Sequence, residues 1–483
     1  LMKKILISLV LLFCCNVFVS AQNIVWYFGS YLKEDAPGVY TYSSYGLDFT
    51  GVTPSSGSPV QLSDSAGMGF YESVSVVSDN SGKVLFYTNG LKLFDASHQR
   101  MFGAPVELQG PVDGNSGTAV QGAYSVLKPG SQTEYYLFTS EGIDGDQNGF
   151  RVNMIDMDLP GNGTLADPLG EVITADSLIL PSGSELMTAY GSCQSDTVWL
   201  VTHSSNSYDF VSVLITSDGI QSVITQNVPT PTIIDDGFLN TAGRGSLDFN
   251  NHGTQLVFTA MEGGGTFLLD FNRHTGVIDE GNNPVEITVF SSTAIPGGGM
   301  VPYSGYGSEF SPDDSKIYLS SISPIADING IWQYDIATQT MEQVPNSAGD
   351  NFAEIITGVD NKLYVGRPSQ QYSHDMGVIA SPNNPAGSVD FDPAAITFTP
   401  AGMMFDGISY AMPQGFYCPL NACNIEMVLD QCDTVSPFQL TATPEGGTFG
   451  GGAYVTSEGV FDPASAGEGT HWVTYDNDCE KPD

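Results

Sequence analysis

Basic residues are scarce: 14 Lys and Arg stand against 54 Asp and Glu in 483 residues, a formal charge of −40. A surface of that sign repels phosphate backbones and anionic headgroups, which argues against nucleic-acid partners. After residue 21 no apolar run approaches the roughly 20 residues of a membrane-spanning helix, so direct membrane insertion is not expected. Amphipathic helical periodicity is also missing. The six histidines, His98, His203, His252, His274, His374 and His471, form no pair at metal-ligand spacing. That argues against zinc and predicts each in a loop or turn. There is no G-x-S-x-G, no P-loop and no H-E-x-x-H.

The N-terminus does carry a pattern. Lys3 and Lys4 precede an apolar stretch, and Val19-Ser20-Ala21 places small residues at a cleavage site, so residues 1–21 read as a secretory signal peptide. The apolar stretch is too short for a retained anchor. The mature chain is expected to be secreted or on the outer cell surface, with the periplasm as the fallback. Export permits disulfides. Of 7 cysteines, Cys14 and Cys15 leave with the signal, and the odd remainder leaves one thiol over. Cys418 with Cys423 and Cys432 with Cys479 are the disulfide candidates, with Cys193 a buried or unpaired thiol.

Abundant Gly (55) and Pro (28) favour short strands joined by turns. One unit recurs: a polar turn, a short strand, a variable loop and a second strand. Its leading strands start near Val84, Tyr135, Val198, Leu256, Ile317 and Leu363, with a further copy at Ile24, and are spaced by roughly 45–65 residues, the size of a four-stranded blade. The reading is an all-β chain with a seven-bladed β-propeller over residues 22–417. A C-terminal strand within residues 408–416 would complete the first blade and remove free edges. Residues 418–424 form a linker, and 425–483 a small Ig-like β-sandwich of short strands bracketed by Cys432 and Cys479.

Three stretches resemble a known group: Trp26-Tyr27-Phe28-Gly29, Gly46-Leu47-Asp48-Phe49, and the run from Ser78 through Lys83-Val84-Leu85-Phe86-Tyr87 to Gly90. They look like the propeller-like N-terminal region of Bacteroidota surface proteins. Phe310-Ser311-Pro312-Asp313-Asp314-Ser315-Lys316 is similar to WD40-like propeller repeats, and Pro444-Glu445-Gly446-Gly447-Thr448-Phe449 to the Ig-like repeats of such proteins. The resemblance implies a surface or adhesion role and continuation into further Ig-like repeats and a type IX sorting domain of the gliding-motility-associated group. It carries over no catalytic residue.

Asp144-Gly145-Asp146-Gln147-Asn148-Gly149 sets Asp144, Asp146 and Asn148 at alternate positions before a glycine, as calcium loops do. Ile155 stands where an EF-hand has Glu, and Val152 where integrin-type loops have Asp. The same residues suit an Asx-rich hairpin turn. Calcium is the one cofactor considered. Unequal loops on a rigid ring favour binding of an extracellular protein or glycan, without enzymatic activity. The alternatives are a structural spacer or cap of a surface filament, and a propeller glycoside hydrolase of sialidase-like type. Against the last, Asn80 replaces the Asp of an Asp-box, and Arg100, Arg151, Arg244, Arg273 and Arg367 are all the arginines available.

Overall fold

A computed structural model describes residues 24–36, 39–51, 60–62, 70, 73–79, 81–109, 119–140, 149–191, 197–204, 207, 209–228, 244–260, 265–279, 284–287, 293–295, 299–301, 305–321, 329–367, 375–398, 415–416, 424–426, 437–443, 448–450, 454–462, 465 and 474–476. Strands dominate these residues, and a 3-10 turn at Ala386–Ser388 interrupts them late in the chain. The chain divides into two compact units at Cys418.

In the larger unit, β1 (Val25–Ala36), β2 (Val39–Asp48) and β3 (Val60–Leu62) form an N-terminal sheet. Six further sheets follow as blades of a β-propeller, each an antiparallel meander running outward from its first strand. Blade 1 holds β4 (Ser75–Ser78), β5 (Val84–Thr88) and β6 (Leu93–Asp95). Blade 2 holds β7 (Ala123–Leu127), β8 (Glu134–Ser140), β9 (Phe150–Asp156) and β10 (Glu171–Leu180). Blade 3 holds β11 (Met187–Gly191), β12 (Thr197–His203), β13 (Asp209–Thr216) and β14 (Gly219–Asn227). Blade 4 holds β15 (Gly245–Phe249), β16 (Gln255–Ala260) and β17 (Gly265–Asn272), with β18 (Val277–Ile278) and β19 (Val285–Glu286) sharing the outer edge of β17. A hairpin of β20 (Thr293–Ile295) and β21 (Gly299–Val301) precedes blade 5, which holds β22 (Gly305–Phe310), β23 (Lys316–Ser321), β24 (Gly330–Asp335) and β25 (Thr340–Gln343). Blade 6 holds β26 (Ile355–Thr357), β27 (Leu363–Val365), β28 (Asp375–Ile379) and β29 (Phe391–Thr397).

Burial explains the composition of the strands. Second strands are buried on both faces and read as continuous apolar runs, as in Tyr135-Tyr136-Leu137-Phe138 of β8. The outer strand β14 exposes every second residue, Gln221, Val223, Thr225 and Asn227. Each blade face packs on the next: Phe138 and Phe150 meet Leu200 and Val213, Trp199 and Phe210 meet Phe258 and Phe271, and Tyr318 meets Ile355 and Leu363. The polar turns between strands are fixed by short acidic and amide side chains. Asp79 Oδ1 accepts from Ser81 and Lys83 backbone N–H, Asp95 Oδ1 from Ser97 and Gln99, and Asn250 Oδ1 from Thr254 and Gln255. The bonds from Ser81 and Ser97 are Asx turns, and together these contacts give the recurrent turn chemistry its physical role.

The N-terminal sheet lies between the last and first blades. Trp26, Phe28 and Leu47 pack on Tyr364, Met376 and Ile396 of blade 6, while Val25 and Tyr27 pack on Val76 and Tyr87 of blade 1. The closing strand differs from expectation. Its described part, β30 (Gly415–Phe416), pairs in parallel with Ser125 and Val126 of β7, not with the N-terminal sheet. As the first strand of blade 2, β7 has an open edge toward the axis, and the segment satisfies that edge.

The smaller unit is all-β. There, β31 (Asn424–Glu426) pairs with β33 (Thr441–Thr443), β32 (Phe438–Gln439) with β35 (Val460–Phe461), and β34 (Thr448–Gly450) with β36 (Thr474–Asp476). Leu440, Phe449 and Phe461 are its buried apolar side chains among the described residues.

Candidate active site at the ring axis

The first strands of blades 1 to 6, β4, β7, β11, β15, β22 and β26, lie side by side around the axis. Side chains from different repeats therefore meet there. At one end the turn at residues 119–122 crosses the ring. Val120 packs against Tyr306 and Ala353 of the opposite blades. Gln121 spans three blades: its Oε1 accepts from Met187 N (3.3 Å) and Leu247 N (3.1 Å), and its Nε2 donates to Leu247 O (3.2 Å). The buried Glu185 accepts from Val120 N (3.4 Å) and pairs with Arg244 Nε at 3.4 Å. Among the described residues this end is filled by that packing and by the hydrogen bonds of Gln121 and Glu185.

One step along the strands lies an acidic centre. Asp248 of β15 and Glu309 of β22 stand on neighbouring first strands, and Glu354 directly precedes β26. Gly307 lets blade 6 approach closely: a Cβ there would come within 2.8 Å of Glu354 Cα. The Ser246 hydroxyl donates to Asp248 Oδ2 (3.0 Å) and accepts from Ser308 N (3.1 Å) and Oγ (3.0 Å). Thr357 N donates to Glu309 Oε2 (3.3 Å). Burial pushes the Asp248 carboxyl well above the usual range and the Glu354 charge adds to it, with the Ser246 hydrogen bond opposing. Burial likewise raises Glu309, followed by the Asp248 charge, against hydrogen bonds from Thr357 and Phe310. Asp248 and Glu309 nevertheless keep some accessible surface, the combination expected of groups that lie deep in the ring and face an internal space.

The Tyr124 phenol of β7 completes the centre. Burial and the Asp248 charge raise its pKa, and hydrogen bonds with Ala189 and Thr188 orient it. It remains a neutral donor. Buried carboxyls on adjacent strands cannot all ionise at low cost, so Asp248 and Glu309 hold a proton to higher pH than isolated carboxyls do. Such a pair supplies a proton donor and an anionic acceptor in one place.

Asp144, Asp146, Asn148, Cys193, Cys418, Cys423, Cys432 and Cys479 lie outside the described residues, as do His374 and His471. His203 corrects the expectation of loop histidines: it ends β12, is fully buried, meets Phe210 edge-on and stacks on Phe258. His252 is a turn residue paired with Asp314 of the next blade. The arginines are dispersed: Arg244 pairs with Glu185, Arg367 with Asp350 and Asp375, and Arg151 donates to Asp176 O. Among the described residues no three His, Cys, Asp or Glu are grouped to hold a metal. No helix among them is long and apolar enough to cross a membrane.

No protein-family model matches the chain. No curated protein matches it either. Similar solved structures include a periplasmic gluconolactonase of Pseudomonas aeruginosa, with 11% identity over 76% of this chain and 82% of that one at a TM-score of 0.36. A candidate 6-phosphogluconolactonase of Bacteroides fragilis matches with 9% identity over 82% and 97% at 0.36. The virginiamycin B lyase of Staphylococcus aureus matches with 18% identity over 44% of this chain at 0.27, and this chain spans 55% of its length. These neighbours bear the names of enzymes, against the expectation of a protein without enzymatic activity. At these scores the likeness assigns no reaction to the chain, and the chemistry rests on the residues at the axis.

Proposed function

We propose that the protein is an exported propeller enzyme whose axial centre hydrolyses glycosidic bonds. The observation that carries this reading is the placement of Asp248 and Glu309 on the neighbouring first strands β15 and β22, deep in the ring. In hydrolysis of a glycoside, the protonated member donates to the leaving oxygen, and the ionised member activates water or attacks the anomeric carbon. Tyr124, Ser246 and Thr188 provide hydroxyl groups suited to a sugar. The dispersed arginines disfavour the sialidase-like form and favour an uncharged sugar. The N-terminal sheet, seated between blades 6 and 1, serves as a seventh blade in this reading. Residues 1–21 direct the chain out of the cytoplasm, and residues 425–483 form an Ig-like appendage.

The test is a panel of chromogenic glycosides with the mature chain and its Asp248→Asn and Glu309→Gln variants. Turnover with a bell-shaped pH profile is expected, and each variant should lose about 10²-fold or more in kcat. Retained activity in both variants would sink the assignment. Turnover of a sugar lactone alone would keep the residues and change the bond that is cleaved.

A further inference from the structure

The turn at residues 119–122 touches all six blades. It leads into β7 of blade 2, and its Ala119 O accepts from the hydroxyl of Ser73, just ahead of blade 1, at 2.6 Å. The Gln121 side chain holds Met187 of blade 3 and both backbone groups of Leu247 of blade 4. Val120 packs on Tyr306 of blade 5 and on Ala353, which leads into blade 6. All four residues of the turn are buried. The carboxyls stand directly beyond these contacts, since Asp248 follows Leu247 and Glu354 follows Ala353. Hydrogen bonds between Ser246 and Ser308 bring Glu309 to the level of Asp248 on the neighbouring strand. A strand rises roughly 3.3 Å per residue, so the space between the turn and the carboxyls has room for one sugar ring and not for a second linked behind it.

We propose that the axial centre lies at the bottom of a blind pocket, with the 119–122 turn as its floor, and removes single sugars from the ends of glycan chains. The proposal rests on the acid–base reading of Asp248 and Glu309 and adds which bond of a chain they reach. A site that cuts within a polymer needs sugars on both sides of the bond to be broken. Here the buried turn stands where the chain would continue. The turn meets the first strands at or near their starts, so a substrate arrives from their C-terminal ends, terminal sugar first. Over one turnover the anomeric carbon–oxygen bond breaks and the leaving oxygen takes the proton of the acid. A water molecule gives its oxygen to the anomeric carbon and its proton to the carboxylate. The products are the free terminal sugar and a chain shorter by one unit.

The test gives the full mature chain three kinds of substrate: aryl monoglycosides, linear oligosaccharides of neutral sugars, and dye-crosslinked neutral polysaccharides. Turnover of an aryl glycoside is expected, with monosaccharide as the first product from oligosaccharides of the same sugar and no dyed fragments from the crosslinked polymers. Dyed fragments, or oligosaccharides as first products, would overturn the blind pocket and leave the acid–base reading intact. The floor is read separately. In folded Val120→Cys the introduced thiol, followed by mass spectrometry, should react with iodoacetamide about 10²-fold or more slowly than in the urea-unfolded chain. If that variant does not fold, hydrogen exchange of the parent's Gln121 and Gly122 amides, bonded to Glu185 O and Ala119 O, gives the same reading. Protection like that of β8 is expected there. Reaction or exchange at unfolded rates would remove the floor and overturn the proposal. A protected floor without turnover of any substrate would bring down the acid–base reading, and terminal action with it, while the floor itself stands.

Discussion

At the scale of single residues, His203 and Asp248 couple burial to pH in opposite directions. The His203 ring is fully buried, and neither nitrogen has a hydrogen-bond partner among the described residues. Burial lowers its pKa to about 4, opposed in part by the Asp209 charge. Because the folded value lies below the ordinary 6.5, the unfolded chain takes up this proton first as pH falls. The resulting loss begins near the unfolded pKa and is complete near the folded one, and it amounts to about 3 kcal/mol. His203→Leu keeps an apolar group between Phe210 and Phe258 and removes the proton-binding site. The stability of the variant relative to the parent, from urea titrations, should therefore rise by about that amount between pH 7 and pH 4. An unchanged difference across that range would show that His203 is not held neutral. Asp248 and Glu309 have folded pKa values raised above the unfolded ones, so they cost stability as pH rises past the unfolded carboxylate range. Asp248→Asn should accordingly be more stable than the parent at pH 7, while losing activity. That trade is expected of a group kept for chemistry.

At the scale of elements, the repeat was legible because second strands are apolar on both faces and turns carry Asp, Asn, Ser and Gly. Val84, Tyr135, Val198, Leu256, Ile317 and Leu363 each begin or lie just inside a second strand. The site was not legible, because Tyr124, Asp248, Glu309 and Glu354 come from four repeats and meet only when the ring forms. A weak signal existed: Asp248-Phe249 and Glu309-Phe310 place an acid before an aromatic at the end of two first strands, with Ser246 and Ser308 nearby. Polar residues in strands that otherwise bury apolar groups break the local pattern, and such breaks mark candidate sites. The turn at residues 119–122 was equally hidden, since its role depends on contacts 66 and 126 residues away. Gln121→Leu tests that role. It leaves the N–H groups of Met187 and Leu247 and the Leu247 carbonyl without their Gln121 partner, at a cost of about 2–4 kcal/mol. Urea denaturation should show that loss, whereas a change under 1 kcal/mol (roughly one ordinary hydrogen bond) would mean that water replaces the side chain.

At the scale of the whole molecule, stability depends on a ring in which each sheet covers the face of the next. A repeat array without closure leaves two apolar faces exposed at its ends. Here the N-terminal sheet covers both: Trp26 meets Phe49 at 4.6 Å and Tyr364 at 5.1 Å on the blade 6 side, and Tyr27 meets Tyr87 at 5.3 Å on the blade 1 side. The formal charge of −40 adds self-repulsion that favours opening, so this seam carries a load that a neutral ring would not impose. Trp26→Ala removes the largest side chain at the seam and should cost about 3–5 kcal/mol. Its effect should also spread. Hydrogen exchange should accelerate in β1 and β2 and equally in β27 and β28 of blade 6, which are distant in sequence, while β12 and β16 stay protected. Raising the salt concentration should recover part of the lost protection by screening the acidic surface. Acceleration confined to residues next to Trp26, with blade 6 unchanged, would mean that the N-terminal sheet is an appendage and that the six blades close without it.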